Sequence, residues 1–417
     1  MTCDILIHDI KGLVQVRDGN TGLVCGQDMS VLPVIENAWL AIEGEQISGY
    51  GNMAELPSMK AERRIDASGR FVFPSFVDSH THLVYANSRE EEFVMKIRGM
   101  SYQEIAARGG GILNSAAKVR AASEEELFER TLTRVDEIIS TGTGAVEIKS
   151  GYGLTTADEL KMLRVARRIG RDTPLPVRTT FLGAHAVPQG TTRELYVRSV
   201  IEEMIPAVAG ENLADYIDVF CEEGFFTVQE TEAILTAGLQ YGLKGRVHAN
   251  QLSNSGAVQV AVQCGALTVD HLESIGESEI QVLRKGRTIP TVLPGAAFFL
   301  RLPYPPARRM IDAGLPLVVA SDYNPGSAPT GNMSLMVALA CIGMRLSPEE
   351  ALNAVTLNAA AALEWTDALG SITRGKLANI LITRPMPSIA YLAYAWGSSL
   401  IETVILRGKV QQHRGSV

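Results

Sequence analysis

The sequence predicts an α/β chain whose centre is a (β/α)8 barrel and whose two ends together build a small β-sandwich domain. Three observations predict it. Eight short apolar runs alternate with amphipathic segments between Phe76 and Ala320. Side chains capable of chemistry recur at the carboxyl ends of many of these runs, where barrel enzymes place their sites. Both termini instead alternate polar and apolar residues and turn at glycine, the pattern of antiparallel strands.

The eight runs are Phe76 to His82, Ala145 to Ile148, Val177 to Leu182, Ile217 to Cys221, Arg246 to His248, Leu267 to Asp270, Thr288 to Leu293 and Leu317 to Ala320. Short continuous apolar runs are what strands buried on both faces look like. Helix starts stand between them: Ser123 with Glu126, Thr156 with Glu159, Thr227 with Glu230 and Ser347 with Glu350 have capping-box spacing, the last with Pro348 at the first helical position. An open doubly wound sheet shares the alternation but gathers its site at one switch point, so the dispersed site residues favour the barrel.

At the ends, Asp4 to His8, Ala38 to Glu43, Gln46 to Tyr50, Ala378 to Thr383 and Glu402 to Val410 carry the antiparallel pattern. The expected division is therefore residues 1–70 plus 370–417 as one composite β domain, with 71–369 as the barrel.

A chain of 417 residues with 46% hydrophobic and 20% charged content can bury a core of that size. The net charge of -8 and the scattered Lys and Arg residues leave no basic face, so nucleic acid is not an expected partner. Cys3, Cys25, Cys221, Cys264 and Cys341 lie far apart with no Cys-x-x-Cys pair. That spacing indicates neither a disulfide framework nor a thiolate zinc site, and reduced thiols point to the cytoplasm. Met-Thr-Cys-Asp-Ile at the start lacks the pattern of a secretory leader, and the most apolar stretch, Leu335 to Met344, is too short for a bilayer and predicts a buried helix. No membrane role is expected.

Five of the seven histidines sit at predicted strand ends: His80, His82, His185, His248 and His271. In Asp78-Ser-His80-Thr-His82 the two-residue pleat sends 78, 80 and 82 to one face, the barrel interior. A catalytic metal site needs about three protein ligands and an open position, and His248 after the fifth strand with Asp322 after the eighth complete such a set. Neutral imidazoles leave the cation's charge uncompensated, which lowers the pKa of a bound water. Core histidines satisfied by hydrogen bonds are the ordinary alternative for one His-x-His; the matching strand ends weigh against it here.

Asp78 either holds His80 or caps its strand from within the barrel. Glu147 and Lys149 bracket the end of the second strand. Glu222, beside Cys221 and Glu223, is the residue most able to support a second metal, although one ion is the favoured count. His271, in Asp270-His-Leu-Glu273, is a further ligand or an acid/base group.

Over nearly its whole length the chain resembles the imidazolonepropionase family of the amidohydrolase superfamily. The resemblance rests on His80-Thr-His82, Ser88-Arg-Glu-Glu-Glu-Phe93, Gly109-Gly-Gly-Ile112, Glu147-Ile-Lys-Ser-Gly-Tyr-Gly153, Gly183-Ala-His-Ala-Val-Pro188, His248-Ala-Asn-Gln-Leu-Ser-Asn254, Asp270-His-Leu-Glu273 and Asp322-Tyr-Asn-Pro-Gly-Ser327. His-x-His marks only the superfamily; the Gly-Gly-Gly loop, Lys-Ser-Gly-Tyr-Gly and Asn-Pro-Gly together are specific. The resemblance implies one zinc or iron ion on His80, His82, His248 and Asp322, and contacts to substrate or product from Arg89, Tyr152, His185, Gln251, Asn324, Gly326 and Ser327. It also implies a homodimer.

The implied substrate is a small molecule, 4-imidazolone-5-propanoate, whose carboxylate tail suits the planar guanidinium of Arg89, with Tyr102 assisting. Alternatively, Arg89 forms a surface ion pair with Glu90 or Glu91. Tyr152 lies against the flat ring, or merely packs its loop. His185 would hydrogen-bond the ring carbonyl, His271 and Asp322 would move the proton from water to the leaving nitrogen, and N-formimidoyl-L-glutamate would result. Gln251 orients, since an amide does not titrate.

Ser75, Ala86, Asn87, Ala117 and Asn250 depart from the family pattern. Those changes are expected to touch the substrate's surroundings while sparing the metal set. The alternatives are a related enzyme acting on another cyclic amide or hydantoin-like ring, a heterocycle deaminase, or a barrel kept only as a scaffold.

Overall fold

Thr143–Lys149, here β7, shows how the centre of the chain folds: every residue in it is buried, the charged Glu147 and Lys149 included. A strand sealed on both faces has to sit between parallel neighbours covered by helices. A computed structural model of the chain, which describes residues 2–19, 21–100, 104 and 110–411, places it so. Eight strands pair in parallel, in the order β13 (Val318–Val319), β12 (Ile289–Val292), β11 (Thr268–His271), β10 (Lys244–Ala249), β9 (Tyr216–Cys221), β8 (Val177–Ala184), β7 and β6 (Phe76–Asp78).

All eight predicted barrel strands are present. The first is regular only to Asp78; beyond it, Ser79 to His82 run on as the strip that closes the barrel. The Asp322 N–H donates to the His80 carbonyl at 3.0 Å and the His82 N–H to the Tyr323 carbonyl at 2.9 Å. Across the other edge the Lys149 N–H donates to Thr81 O at 2.9 Å. The closing hydrogen bonds are therefore made by the backbone of the predicted ligands, which locks their side chains together.

Capping boxes at Ser123, Thr227 and Ser347 start helices at Glu124, Val228 and Pro348. The predicted cap at Thr156 is wrong by one residue. Thr155 is the cap, accepting from the Asp158 N–H. Glu159 is drawn into the barrel rim, where its carboxylate accepts the N–H groups of Gly151, Gly153 and Leu154 at 2.8 to 2.9 Å. The apolar stretch Leu335 to Met344 lies in the helix Met333–Met344, largely buried.

The terminal strands form one mixed sheet. Its order is β16 (Lys409–Val410), β15 (Ile401–Leu406), β14 (Ile380–Thr383), β5 (Phe71–Pro74), β1 (Thr2–Val14), β2 (Val34–Glu43) and β3 (Gln46–Asn52). β4 (Lys60–Asp66) pairs beside the first half of β1, while β5 pairs beside its second half. A bulge between Ile7 and Ile10, with Asp9 at φ 55°, separates the two halves. Ile5, Ile7, Leu40, Val72, Ile380 and Ile405 from both ends of the chain share its apolar core.

Candidate active site

Neutral histidines can converge on one point only if something else fixes which ring nitrogen is protonated. Here buried carboxylates do so. His80 Nδ1 donates to Asp270 Oδ2 at 2.7 Å, both side chains being wholly buried. His248 Nδ1 lies 3.1 Å from Asp218 Oδ2. With protons on these two Nδ1 atoms, the Nε2 lone pairs of His80 and His248 face inward. His80 Nε2 and His82 Nε2 each lie 3.5 Å from Asp322 Oδ1, and His82 Nε2 lies 3.5 Å from His248 Nε2.

Lone pairs facing lone pairs at this range repel unless a cation sits between them. Ligands about 2.0–2.1 Å from a tetrahedral centre are about 3.4 Å apart, and the cluster offers two overlapping sets of ligand atoms near that spacing, His80 with His82 and Asp322 and His80 with His248 and His271, able to hold a divalent ion. His80 Nε2 has no hydrogen-bond partner among the described residues. Buried carboxylates outnumber the wholly buried cations Lys149 and Arg246: Glu147, Asp218, Asp270 and Asp322 lie in the cluster with Asp78 and Glu273 beside it, an excess of negative charge that suits a cation.

Lys149 Nζ, 2.9 Å from both Glu147 Oε1 and Asp218 Oδ2 and 3.9 Å from Asp270 Oδ2, ties the carboxylates behind His248 and His80 together. Burial opposes its charge, but Asp218 and Glu147 outweigh that and hold its pKa above the ordinary lysine value. Burial pushes His80 and His82 well below the usual imidazole range, which keeps them neutral as ligands must be. The same burial pushes Asp322 up to about 6.

Asp78 does not hold the His80 ring, although it accepts from the His80 backbone N–H. Its carboxylate accepts from the Ser321 N–H at 3.0 Å and hydroxyl at 2.5 Å, clamping the first strand to the eighth, and burial pushes it up to about 7. Asp270 holds His80 instead. His271 closes the other side of the cluster, its ring 5.6 Å from His80 and 5.2 Å from His248. Its Nδ1 lies 3.6 Å from Glu273 Oε1; burial opposes protonation, yet Glu273, Asp322 and Asp270 outweigh it and raise the pKa. Left-handed backbone at His271, φ 86°, and Asp322, φ 57°, turns both strand ends toward this point.

A cavity of about 510 Å³ opens from the cluster. Its metal end presents His82, His248, His271 and Asp322; its walls include Tyr152, His185 and Gln251; its far end holds Arg89 and Lys96. The Tyr152 and His185 rings are 5.3 Å apart beside His82. His185 Nδ1 donates to the Gly151 carbonyl at 3.0 Å, and burial pushes its pKa down to about 3. A neutral His185 in that tautomer offers an Nε2 lone pair, so it accepts a proton rather than donating to a carbonyl.

The loop Asp322–Ser327 joins the two ends of the cavity. Asn324 Nδ2 donates to Asp322 O and to Ser327 Oγ, and its Oδ1 accepts from the N–H groups of Gly326 and Ser327. That occupies the whole amide. Ser327 Oγ donates to Asp322 Oδ2 at 3.1 Å, leaving Oδ1 to the histidines. Gly326 must lack a side chain, because a Cβ there would lie 2.2 Å from Arg89 Nη1.

Arg89 is paired, but not at the surface and not with Glu90 or Glu91. Its Nε and Nη2 donate to Glu92 Oε2 at 2.9 and 2.6 Å, and both side chains are under a tenth exposed. Glu222 accepts from the Leu252 N–H and the Ser253 hydroxyl, bracing the loop that carries Gln251. Among the described residues, the groupings of ligand atoms within 4.8 Å at this site involve His80, His82, His248, His271 and Asp322, without Glu222. Tyr102 lies outside the described residues.

The five departures from the family pattern do not line the cavity. The expectation that they border the substrate is corrected: Ser75 packs against Gly144, Arg130 holds Ala86 and Asn87, Ala117 is on the helix surface, and Asn250 bonds Asn254. Sequence reasoning gave no site role to Asp218 or Glu273 and read Glu159 only as part of a helix cap. A lone charge inside the apolar strand Tyr216–Cys221 was the available signal for Asp218.

Barrel, terminal sheet and a buried His/Asp centre define a metal-dependent hydrolase of the amidohydrolase type, and the sequence model of the amidohydrolase family matches residues 71–411. The chain belongs to that family. Over 97% of its length it is 50% identical to imidazolonepropionase from Christiangramia forsetii, and likewise 50% identical to that from Flavobacterium johnsoniae, in each case covering 99% of the relative. The atrazine chlorohydrolase of Arthrobacter aurescens, a structure complexed with zinc, shares the fold at a TM-score of 0.74 and 16% identity, over 97% of this chain and 94% of that one.

Proposed function

We propose that the chain hydrolyses 4-imidazolone-5-propanoate to N-formimidoyl-L-glutamate, cleaving a ring C–N bond in histidine degradation. The observation that carries this is the single cavity with a metal-ligand cluster at one end and Arg89 at the other, joined by the Asp322–Ser327 loop. The relatives' shared name agrees with it.

The ion is zinc or iron, both of which suit imidazole and carboxylate donors. When bound, it lowers the pKa of a water and polarises the ring carbonyl. Arg89 takes the propionate tail. The flat ring lies between Tyr152 and His185, and His185 Nε2 accepts a ring N–H. Asp322 takes the proton of the attacking water, and His271, held by Glu273, delivers one to the leaving ring nitrogen. Gln251 orients the ring through its carboxamide, while Asn324, Gly326 and Ser327 set the wall the ring rests on.

Five free cysteines support a reducing compartment, the cytoplasm. Phe298, Ile342 and Tyr394, each more than half exposed on helices packed together, support a homodimer. Metal analysis of the purified protein, with an absorbance assay for loss of imidazolonepropionate, tests the function. One ion per chain and turnover are expected; metal-loaded protein without turnover refutes it. Equal turnover of a ring lacking the tail would instead favour the broader cyclic-amide reading.

A further inference from the structure

Arg89 is an incomplete anchor for an anion. Its guanidinium is held by Glu92, which is itself fixed by the Gly111 N–H at 3.0 Å and Asn114 Nδ2 at 3.3 Å. A carboxylate approaching Arg89 therefore also meets the carboxylate of Glu92, and the buried pair carries no net charge. Lys96 changes that balance. It stands one turn after Glu92 on the same helix, Glu90–Ile97, and lines the cavity.

Its Nζ donates to the Gly326 carbonyl at 3.1 Å and lies 5.8 Å from the Phe299 ring centre. Gly326 is thus pressed between the two cations, its Cα side against Arg89 Nη1 and its carbonyl against Lys96. An ammonium has three N–H donors, and that bond uses one. Partial burial and the neighbouring Arg89 lower the lysine's pKa, the mark of a poorly solvated cation that gains from an added anion.

We infer that Lys96 is a second carboxylate anchor, which leaves Arg89, Glu92 and Lys96 together net positive and sets the cavity's preference for rings bearing an anionic tail. This rests on the proposed reading of the cavity as a ring-binding site. It differs from loop support alone, which would act on charged and neutral ligands alike.

The test uses metal-loaded wild type, Lys96→Met and Lys96→Arg. Calorimetry measures imidazole-4-propanoate and its neutral carboxamide; kinetics measure KM and kcat for imidazolonepropionate. Losing one charge-assisted contact should weaken propanoate binding and raise KM by roughly 10- to 100-fold, with kcat and carboxamide binding little changed and Arg restoring affinity. Equal weakening of both ligands, no weakening, or a wild type that binds neither would overturn the inference. Lys96-dependent binding without hydrolysis of imidazolonepropionate would leave it standing and defeat the proposed reaction instead.

Discussion

Replacing Asp270 by Asn keeps the side chain's shape and removes one charge from behind His80. The wild-type carboxylate accepts the His80 Nδ1 proton at 2.7 Å and lies 3.9 Å from Lys149 Nζ and from Arg246 Nη2. An amide oxygen at the Oδ2 position can still accept from His80, but without the charge that strengthens the bond; with the NH2 there, the ring donor has no acceptor. Either way His80 loses the charge-assisted bond that aims Nε2 inward. Loss of such a partner weakens metal binding by roughly 10- to 100-fold, or about 1.4–2.7 kcal/mol.

The metal-free fold should tolerate the change, because Lys149 keeps its contacts to Glu147 and Asp218 at 2.9 Å. Competition against a chelator of known affinity gives the metal Kd, and thermal unfolding of the metal-free protein gives the control. A Kd within about twofold of wild type would refute the assignment of Asp270 as the residue that orients His80.

Arg89→Ala should raise KM for the propionate-bearing ring by roughly 10-fold or more while hardly changing that for a ring without the tail; equal changes in steady-state assays would count against the tail anchor. Glu159→Gln leaves one amide oxygen for the N–H groups of Gly151, Gly153 and Leu154, so kcat/KM should fall by roughly 10-fold as the Tyr152 loop loosens, with metal content retained. Unchanged kcat/KM would mean that loop is held elsewhere. At Glu279, burial opposes ionisation, but hydrogen bonds from Ser278, Gly276, Asn254 and Gln259 outweigh it and hold the pKa at about 2 against an ordinary 4.5. A depressed folded-state pKa gives stability that is full above pH 4.5 and lost as pH falls toward 2. Denaturation of Glu279→Gln against wild type should show a gap of about 2–3 kcal/mol near pH 6 that closes on acidification; a gap independent of pH would contradict this.

Much of this architecture was legible along the chain because its causes are local. Strand burial shows as runs such as Thr288 to Leu293, helix starts show at Ser123, Thr227 and Ser347, and the pleat alone puts His80 and His82 on one face. Local spacing misled at Thr156, where a carboxylate three residues on suggested a capping box. Burial claimed Glu159 for the rim loop instead.

What the fold alone decided is how each side chain is used. Which nitrogen of His80 and of His248 faces the ion depends on Asp270 and Asp218, reached across strands. Whether Arg89 meets water, Glu90 or Glu92, and whether Asn324 meets a ligand or its own loop, depends on how the rim segments pack over the cavity. Hydrophobic periodicity and capping act over a few residues and leave their record in order and spacing. Tautomers, ion pairs and desolvation act through space, between residues as distant along the chain as His80 and Asp270, 190 positions apart.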